Sequence, residues 1–143
     1  LLGNVDRDEI EFSGLEGRIV LSLGLFQTSA SSFTLLAGLE NEGLFRSMDG
    51  ARTWEKVDLG VSGDLTINAI GIGQNGVILL GVSEFGLIRS ADGGMKWDLV
   101  ENCPSLVISL AEWNGRFYAG TAEDGLWISK EGGPDGLFWQ RVD

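Results

Sequence analysis

The sequence predicts an all-β protein, a β-propeller built of four-stranded antiparallel blades, about three of them in this chain. Three observations predict it. A patterned stretch occurs as Ser47-Met48-Asp49-Gly50-Ala51-Arg52-Thr53-Trp54 and again as Ser90-Ala91-Asp92-Gly93-Gly94-Met95-Lys96-Trp97. An altered third copy begins Ser129-Lys130-Glu131-Gly132-Gly133 and reaches its tryptophan at Trp139. The copies keep a period: Ser90 lies 43 residues after Ser47, and Ser129 lies 39 after Ser90. Gly38, Gly81 and Gly120 repeat at the same two intervals, as do Gly43, Gly86 and Gly125. Each unit holds four short strand-like runs, and no helical period exceeds one turn. A period of about 40 residues with four strands is that of a propeller blade.

The elements follow in order. Residues 1–16 are a lead-in, in which Glu9-Ile10-Glu11-Phe12 alternates like the last strand of an incomplete blade. The first blade is expected over 17–60. Its residues 18–26 are mostly apolar, which predicts a strand buried on both faces. Residues 27–32 are small and polar and predict a loop; strands are expected at 33–39, 43–47 and 53–58. The second blade, 61–103, repeats the order with strands at 66–72, 76–82, 86–90 and 96–100. Asn75-Gly76 between its first two strands is a two-residue hairpin signal. The third blade, 104–143, has strands at 106–112, 116–121, 125–129 and 138–142, with Asn114-Gly115 as its hairpin.

The patterned stretch itself is a turn between the third and fourth strands. Apolar runs precede it at Gly43-Leu44-Phe45, Gly86-Leu87-Ile88 and Gly125-Leu126-Trp127, and alternating runs follow each tryptophan. Asp49 and Asp92 are suited to accept hydrogen bonds from turn amides. Gly50 and Gly93 supply backbone angles that a side chain penalises. Trp54, Trp97 and Trp139 open the next strand and are expected to fold back as large apolar plugs. This pattern resembles the Asp-box, or BNR, repeat, Ser-x-Asp-x-Gly-x-x-Trp, found between the third and fourth strands of propeller blades. The resemblance covers nearly the whole chain. It departs at Ala51, where the repeat has glycine, and in the third copy. There Glu131 replaces the aspartate, and three extra residues around Pro134-Asp135-Gly136 precede Trp139.

Composition bounds the function. The 143 residues are 43% hydrophobic and 22% charged, enough for one domain with a core, and Gly 22 against Pro 2 suits many tight turns. The net charge of −11 argues against nucleic acid, whose phosphates require a basic surface. No apolar run approaches the ~20 residues of a membrane helix. Leu1-Leu2-Gly3 has neither the basic region nor the apolar core of a signal peptide, and the first residue is not Met, which fits a trimmed precursor. Cys103 is the only cysteine, so an intrachain disulfide is excluded. With no histidine, the commonest general base and zinc ligand is missing.

Chemical motifs are few. Gly71-Ile72-Gly73-Gln74-Asn75-Gly76 matches a dinucleotide pattern, but a strand rather than a helix follows, so it is a hairpin. Asp-box repeats also resemble parts of sialidases and other glycoside hydrolases. Those need paired carboxylates, or a tyrosine nucleophile with an acidic neighbour. Tyr118, the single tyrosine, aligns with Leu36 and Leu79 and is expected in the core. Arg46 and Arg89 align with Ile128 before the box serine and are placed to pair with neighbouring acids; no arginine triad is present. Cys103, before Pro104, has no candidate base beside it and is expected to be unreactive.

One constellation remains. The loops between second and third strands open opposite the box hairpins and carry acid in every unit: Glu40 and Glu42, Glu84 beside Phe85, and Glu123 with Asp124. An acidic surface chiefly confers solubility; as a site, this rim suits a cationic protein partner. Carboxylates without an Asp-x-Asp-x-Asp-Gly loop do not define a calcium site, so no metal or cofactor is expected. The function expected is a non-catalytic binding or assembly scaffold, as in Asp-box propellers of the photosystem II assembly factor or sortilin-like kind. The alternative is a fragment or relative of a sialidase- or xyloglucanase-like enzyme with its catalytic residues elsewhere. Three blades fall short of the 4–8 that close a ring. Self-association is therefore expected, as a two-fold dimer pooling six blades, unless a longer chain supplies the rest.

Overall fold

The computed structural model describes residues 14–130 and 138–142. Among them there is no helix. Twelve strands form three four-stranded antiparallel sheets, each a blade. The first contains β1 (Val20–Ser29), β2 (Ser32–Leu39), β3 (Gly43–Ser47) and β4 (Glu55–Lys56). The second contains β5 (Ile67–Ile72), β6 (Ile78–Val82), β7 (Gly86–Ser90) and β8 (Asp98–Leu99). The third contains β9 (Val107–Trp113), β10 (Arg116–Thr121), β11 (Leu126–Lys130) and β12 (Phe138–Val142). In every sheet the spatial order is the chain order. The first strands β1, β5 and β9 pack side by side and form the inner edge. The chain is a β-propeller arc.

The repeat seen in sequence is a repeat of register. Leu23 pairs with Ala37, Ile70 with Leu80, and Leu110 with Ala119. Each inner strand also carries one extra residue at the same place: Leu21, Asn68 or Ile108. Such a bulge increases local twist, which suits a strand that turns around an axis. The Asn-Gly hairpins form as expected. Asn75 and Gly76 have φ of 57° and 81°, and Asn114 and Gly115 have 55° and 82°, which only Gly and Asn adopt cheaply. The Gly73 amide donates to the Val77 carbonyl at 2.8 Å, so the dinucleotide-like glycines do close a strand hairpin.

The core lies between blades. Leu36 and Leu44 of blade 1 meet Ile67, Ile78, Leu80, Ile88 and Trp97 of blade 2. Leu79, Leu87 and Val100 of blade 2 meet Val107, Phe117 and Trp139 of blade 3. Ala37, Leu39 and Phe45, on the other face of blade 1, are covered by Leu15 and Trp54. Close approach needs glycine at this interface. A β-carbon on Gly38 would stand 2.7 Å from Cβ of Ile67, and one on Gly81 2.7 Å from the Val107 carbonyl.

Several expectations change. The inner strand β1 is not buried on both faces, because among the described residues no blade stands against one of them: Leu23 and Leu25 are 63% and 57% exposed. Residues 27–32 are not a loop, since Gln27 pairs with Phe33 and Ser29 with Ser32, leaving Ala30 and Ser31 as the turn. Tyr118 is half-buried rather than core, because it faces away from blade 2 on the outer side of the last sheet. The fourth strands β4 and β8 shrink to two residues, prolonged by single bonds from Val57 to Leu44 and from Val100 to Leu87. The expected strand at 9–12 lies outside the described residues.

Candidate functional site

The turns at 47–54 and 90–97 are built from their own hydrogen bonds. The Ser90 hydroxyl donates to Asp92 Oδ1 at 2.9 Å and accepts the Gly94 amide at 2.8 Å. Asp92 Oδ1 in turn accepts the amides of Met95 and Lys96 at 3.0 and 2.9 Å. The first turn repeats this: Ser47 binds Asp49 at 2.9 Å and accepts the Ala51 amide at 2.9 Å, while Asp49 Oδ1 accepts the Thr53 amide at 3.0 Å. The Thr53 hydroxyl adds a short bond to Asp49 Oδ2. That hydroxyl first, and the Thr53 amide next, hold the Asp49 carboxyl down at about 2. The Lys96 amide and the Ser90 hydroxyl lower Asp92 in the same way. A carboxylate so stabilised is committed as an acceptor and is no general acid near neutrality. Gly50 and Gly93 have φ of 75° and 78°, as their place in the pattern required.

Trp97 and Trp139 plug the space between blades. Trp97 is 7% exposed in the core of the blade 1–2 interface and donates from Nε1 to the Gly94 carbonyl at 3.0 Å. Trp139 is buried against blade 2. Trp54 is half-buried beside Leu15, against Ala37, Leu39 and Phe45 on the face of blade 1 turned away from blade 2. In the third copy Ser129 is buried but accepts the Phe117 amide at 2.8 Å, restoring a bond where β10 and β11 stop pairing. Glu131 and the inserted residues around Pro134 lie outside the described residues.

The acidic loops occupy equivalent places, β2–β3, β6–β7 and β10–β11, at one end of the sheets. Three of their acids have local partners. Glu42 lies 3.5 Å from Arg18, whose guanidinium also sits 5.1 Å from the Phe45 ring centre. Glu84 accepts the Thr66 amide at 3.0 Å. Asp124 bonds Arg141 at 2.7 Å. Glu40 and Glu123 are exposed, and Phe85 is 39% exposed beside Glu84. Thr66 ties two loops together, because its hydroxyl accepts the Asn41 amide at 2.9 Å. Sequence reading did not single out Arg18, Thr66 or Arg141. Their only signal was a place near a blade boundary or in a last strand, which names no partner.

Arg46 binds Glu55 at 2.8 Å across β3 and β4, the neighbouring acid expected of it. Cys103 is half-buried with Sγ 3.3 Å from the Val100 carbonyl. A cleft of about 280 Å³ lies under the blade 1–2 connection, lined by Leu44, Lys56, Val57, Leu59, Val61 and Leu65. Among the described residues no group of three or more His, Cys, Asp or Glu is placed to hold a metal ion. Among them also, no helix is long and apolar enough to cross a membrane.

No protein-family model matches the chain. No curated protein matches it either. Solved structures do. The chain is similar to YCF48 bound to a D1 peptide, with a TM-score of 0.65 and 22% identity over 86% of this chain and 40% of that one. It is also similar to the GH74 xyloglucanase from Xanthomonas campestris, with a TM-score of 0.60 and 20% identity over 86% of this chain and 23% of that one. The chain thus spans less than half the length of either. At these identities the likeness establishes the propeller fold.

Proposed function

We propose that this chain is a non-catalytic binding propeller of the Asp-box kind, whose acidic loop end receives a cationic segment of a protein partner. The observation that carries the reading is the recurrence of acid in three equivalent loops at one end of the sheets, beside exposed Phe85, in a chain of net charge −11. The serine–aspartate bonding of the first two box turns supports the Asp-box assignment, with blades at 17–60, 61–103 and 104–143 and the lead-in at 1–16. The similar fold of YCF48, solved with a D1 peptide, supports a peptide as the ligand class. Blades beyond these three complete the ring, supplied by a second copy or by a longer chain.

The test is a titration of a lysine- and arginine-rich peptide against a neutral peptide of equal length, read by fluorescence anisotropy. The triple variant Glu40→Gln, Glu84→Gln, Glu123→Gln should weaken the basic peptide about tenfold or more, chiefly through a slower association. The carboxamide that replaces the Glu84 carboxylate still offers an oxygen to the Thr66 amide, so the fold is kept. Equal binding by the parent and the triple variant would remove the rim from any role. The likeness to a xyloglucanase favours a second reading, a glycan-active relative. Retardation in a xyloglucan gel, unaffected by the triple variant, would support that reading instead.

A further inference from the structure

We infer that the cleft under the blade 1–2 connection takes one apolar side chain, of leucine size, from the basic protein segment that binds the acidic loop end. The inference deepens the proposed function and rests on its acidic-rim reading, to which it adds the anchor residue of the partner.

The cleft exists because one connection between blades is longer than its counterpart. Both connections leave their blades alike. The Val57 amide donates to the Leu44 carbonyl at 2.9 Å, and the Val100 amide to the Leu87 carbonyl at 3.1 Å. They also enter the next blades alike, at Ile67, which pairs with Val82, and at Val107, which pairs with Thr121. Yet Ile67 lies 10 residues after Val57, whereas Val107 lies 7 after Val100.

The shorter connection closes down on its blade. A β-carbon on Gly86 would stand 3.1 Å from both Cys103 Sγ and the Pro104 carbonyl oxygen, and Cys103 packs against the blade 2–3 core. The longer connection arches away. Gly43 opens β3 as Gly86 opens β7. Among the described residues a β-carbon on Gly43 would meet only Lys56 Cε, at 3.6 Å. The cleft of about 280 Å³ is the result, and its walls come from blade 1 and from the connection itself.

Size, lining and charge select the occupant. The volume falls just below the roughly 300–1,000 Å³ of sites that enclose a small-molecule ligand, so it suits a single side chain. Leu44, Val57, Leu59, Val61 and Leu65 make the walls apolar. The surroundings are acidic. Asp58 lines the cleft, Glu42 precedes the lining Gly43, and Asp64 precedes the lining Leu65. Glu84 accepts the amide of Thr66, the residue after Leu65, at 3.0 Å. Against these four carboxylates stand Lys56, in the lining, and Arg18, 3.5 Å from Glu42. The balance favours basic residues on either side of the anchor and disfavours an acidic peptide or a fatty acid.

The test is a fluorescence-anisotropy titration of the whole chain with two capped pentapeptides, one with four lysines around a central leucine and one with alanine in its place. The leucine peptide should bind about tenfold tighter, the gain from burying its side chain. Val61→Trp, whose indole fills the cleft, should bind both peptides at the alanine level with unchanged far-ultraviolet circular dichroism. In the parent chain, methyl resonances of Val57 and Leu65 should shift with the leucine peptide and not with the alanine one, a readout that needs no variant. Equal affinity of the two peptides for the parent would overturn the inference, as would unshifted methyls or a leucine advantage kept by a folded Val61→Trp chain. The triple rim variant should weaken both peptides and keep their ratio. If it weakens neither, the rim reading is lost, and the ratio of the two peptides still decides the cleft.

Discussion

Ala51 holds φ at +76°, in the left-handed region where a β-carbon crowds the following carbonyl. That conformation costs a non-glycine residue about 1–2 kcal/mol. The equivalent position in the second turn is Gly94, at +93°. Ala51→Gly should therefore stabilise the chain by about 1 kcal/mol in a urea melt, net of the greater unfolded-state freedom of glycine. Gly94→Ala should do the reverse, since its new methyl would find only ordinary contacts, 3.5 Å from Trp97 and 3.6 Å from Ile78. The same turns set an acid limit. Asp49 titrates at about 2 rather than its ordinary 3.8. A depressed carboxyl contributes stability that is present above the ordinary value and lost as pH falls through the folded one. Asp92, lowered too, acts in the same direction. Melting temperature should thus fall between pH 3.8 and about 2, and the double variant Asp49→Asn, Asp92→Asn should lessen that fall.

At the scale of the element, legibility followed locality. The box turns were readable because serine, aspartate and glycine each answer a need inside a few residues, and the Asn-Gly hairpins for the same reason. Residues 27–32 were not readable, because Gln27 and Ser29 extend a ladder whose partners, Phe33 and Ser32, reveal nothing until the turn is placed. Tyr118 failed for a different cause: alignment with Leu36 and Leu79 gives the register but not whether a neighbour exists to cover it. The rim was legible as a set of acids, whereas its ties through Thr66 and Arg18 depend on how loops from different strands meet. Register also makes a prediction. Gly38→Ala would drive a methyl to 2.7 Å from Ile67, at the packed blade 1–2 interface, and should cost about 1–3 kcal/mol. Gly120→Ala meets only the Ser109 hydroxyl, which can rotate away. Its cost should stay below about 1 kcal/mol. Chemical denaturation of the pair measures the contrast.

For the whole molecule, charge and apolar surface act on association with opposite signs. Each copy carries a net charge of −11. Two copies therefore repel at long range, while apolar side chains such as Leu23, Leu25 and Trp113 are exposed and favour association. A basic peptide on the rim is in the reverse position, attracted at long range by that same charge. Raising ionic strength from about 0.01 to 0.1 M shortens the screening length from about 30 to 10 Å, which weakens both the repulsion and the attraction. Apolar burial is not screened. Any self-association, followed by sedimentation, should tighten with added salt, and the peptide dissociation constant, followed by anisotropy, should rise. The two slopes separate the surfaces without any mutation. Self-association that weakens with salt would be held by charge rather than by apolar burial.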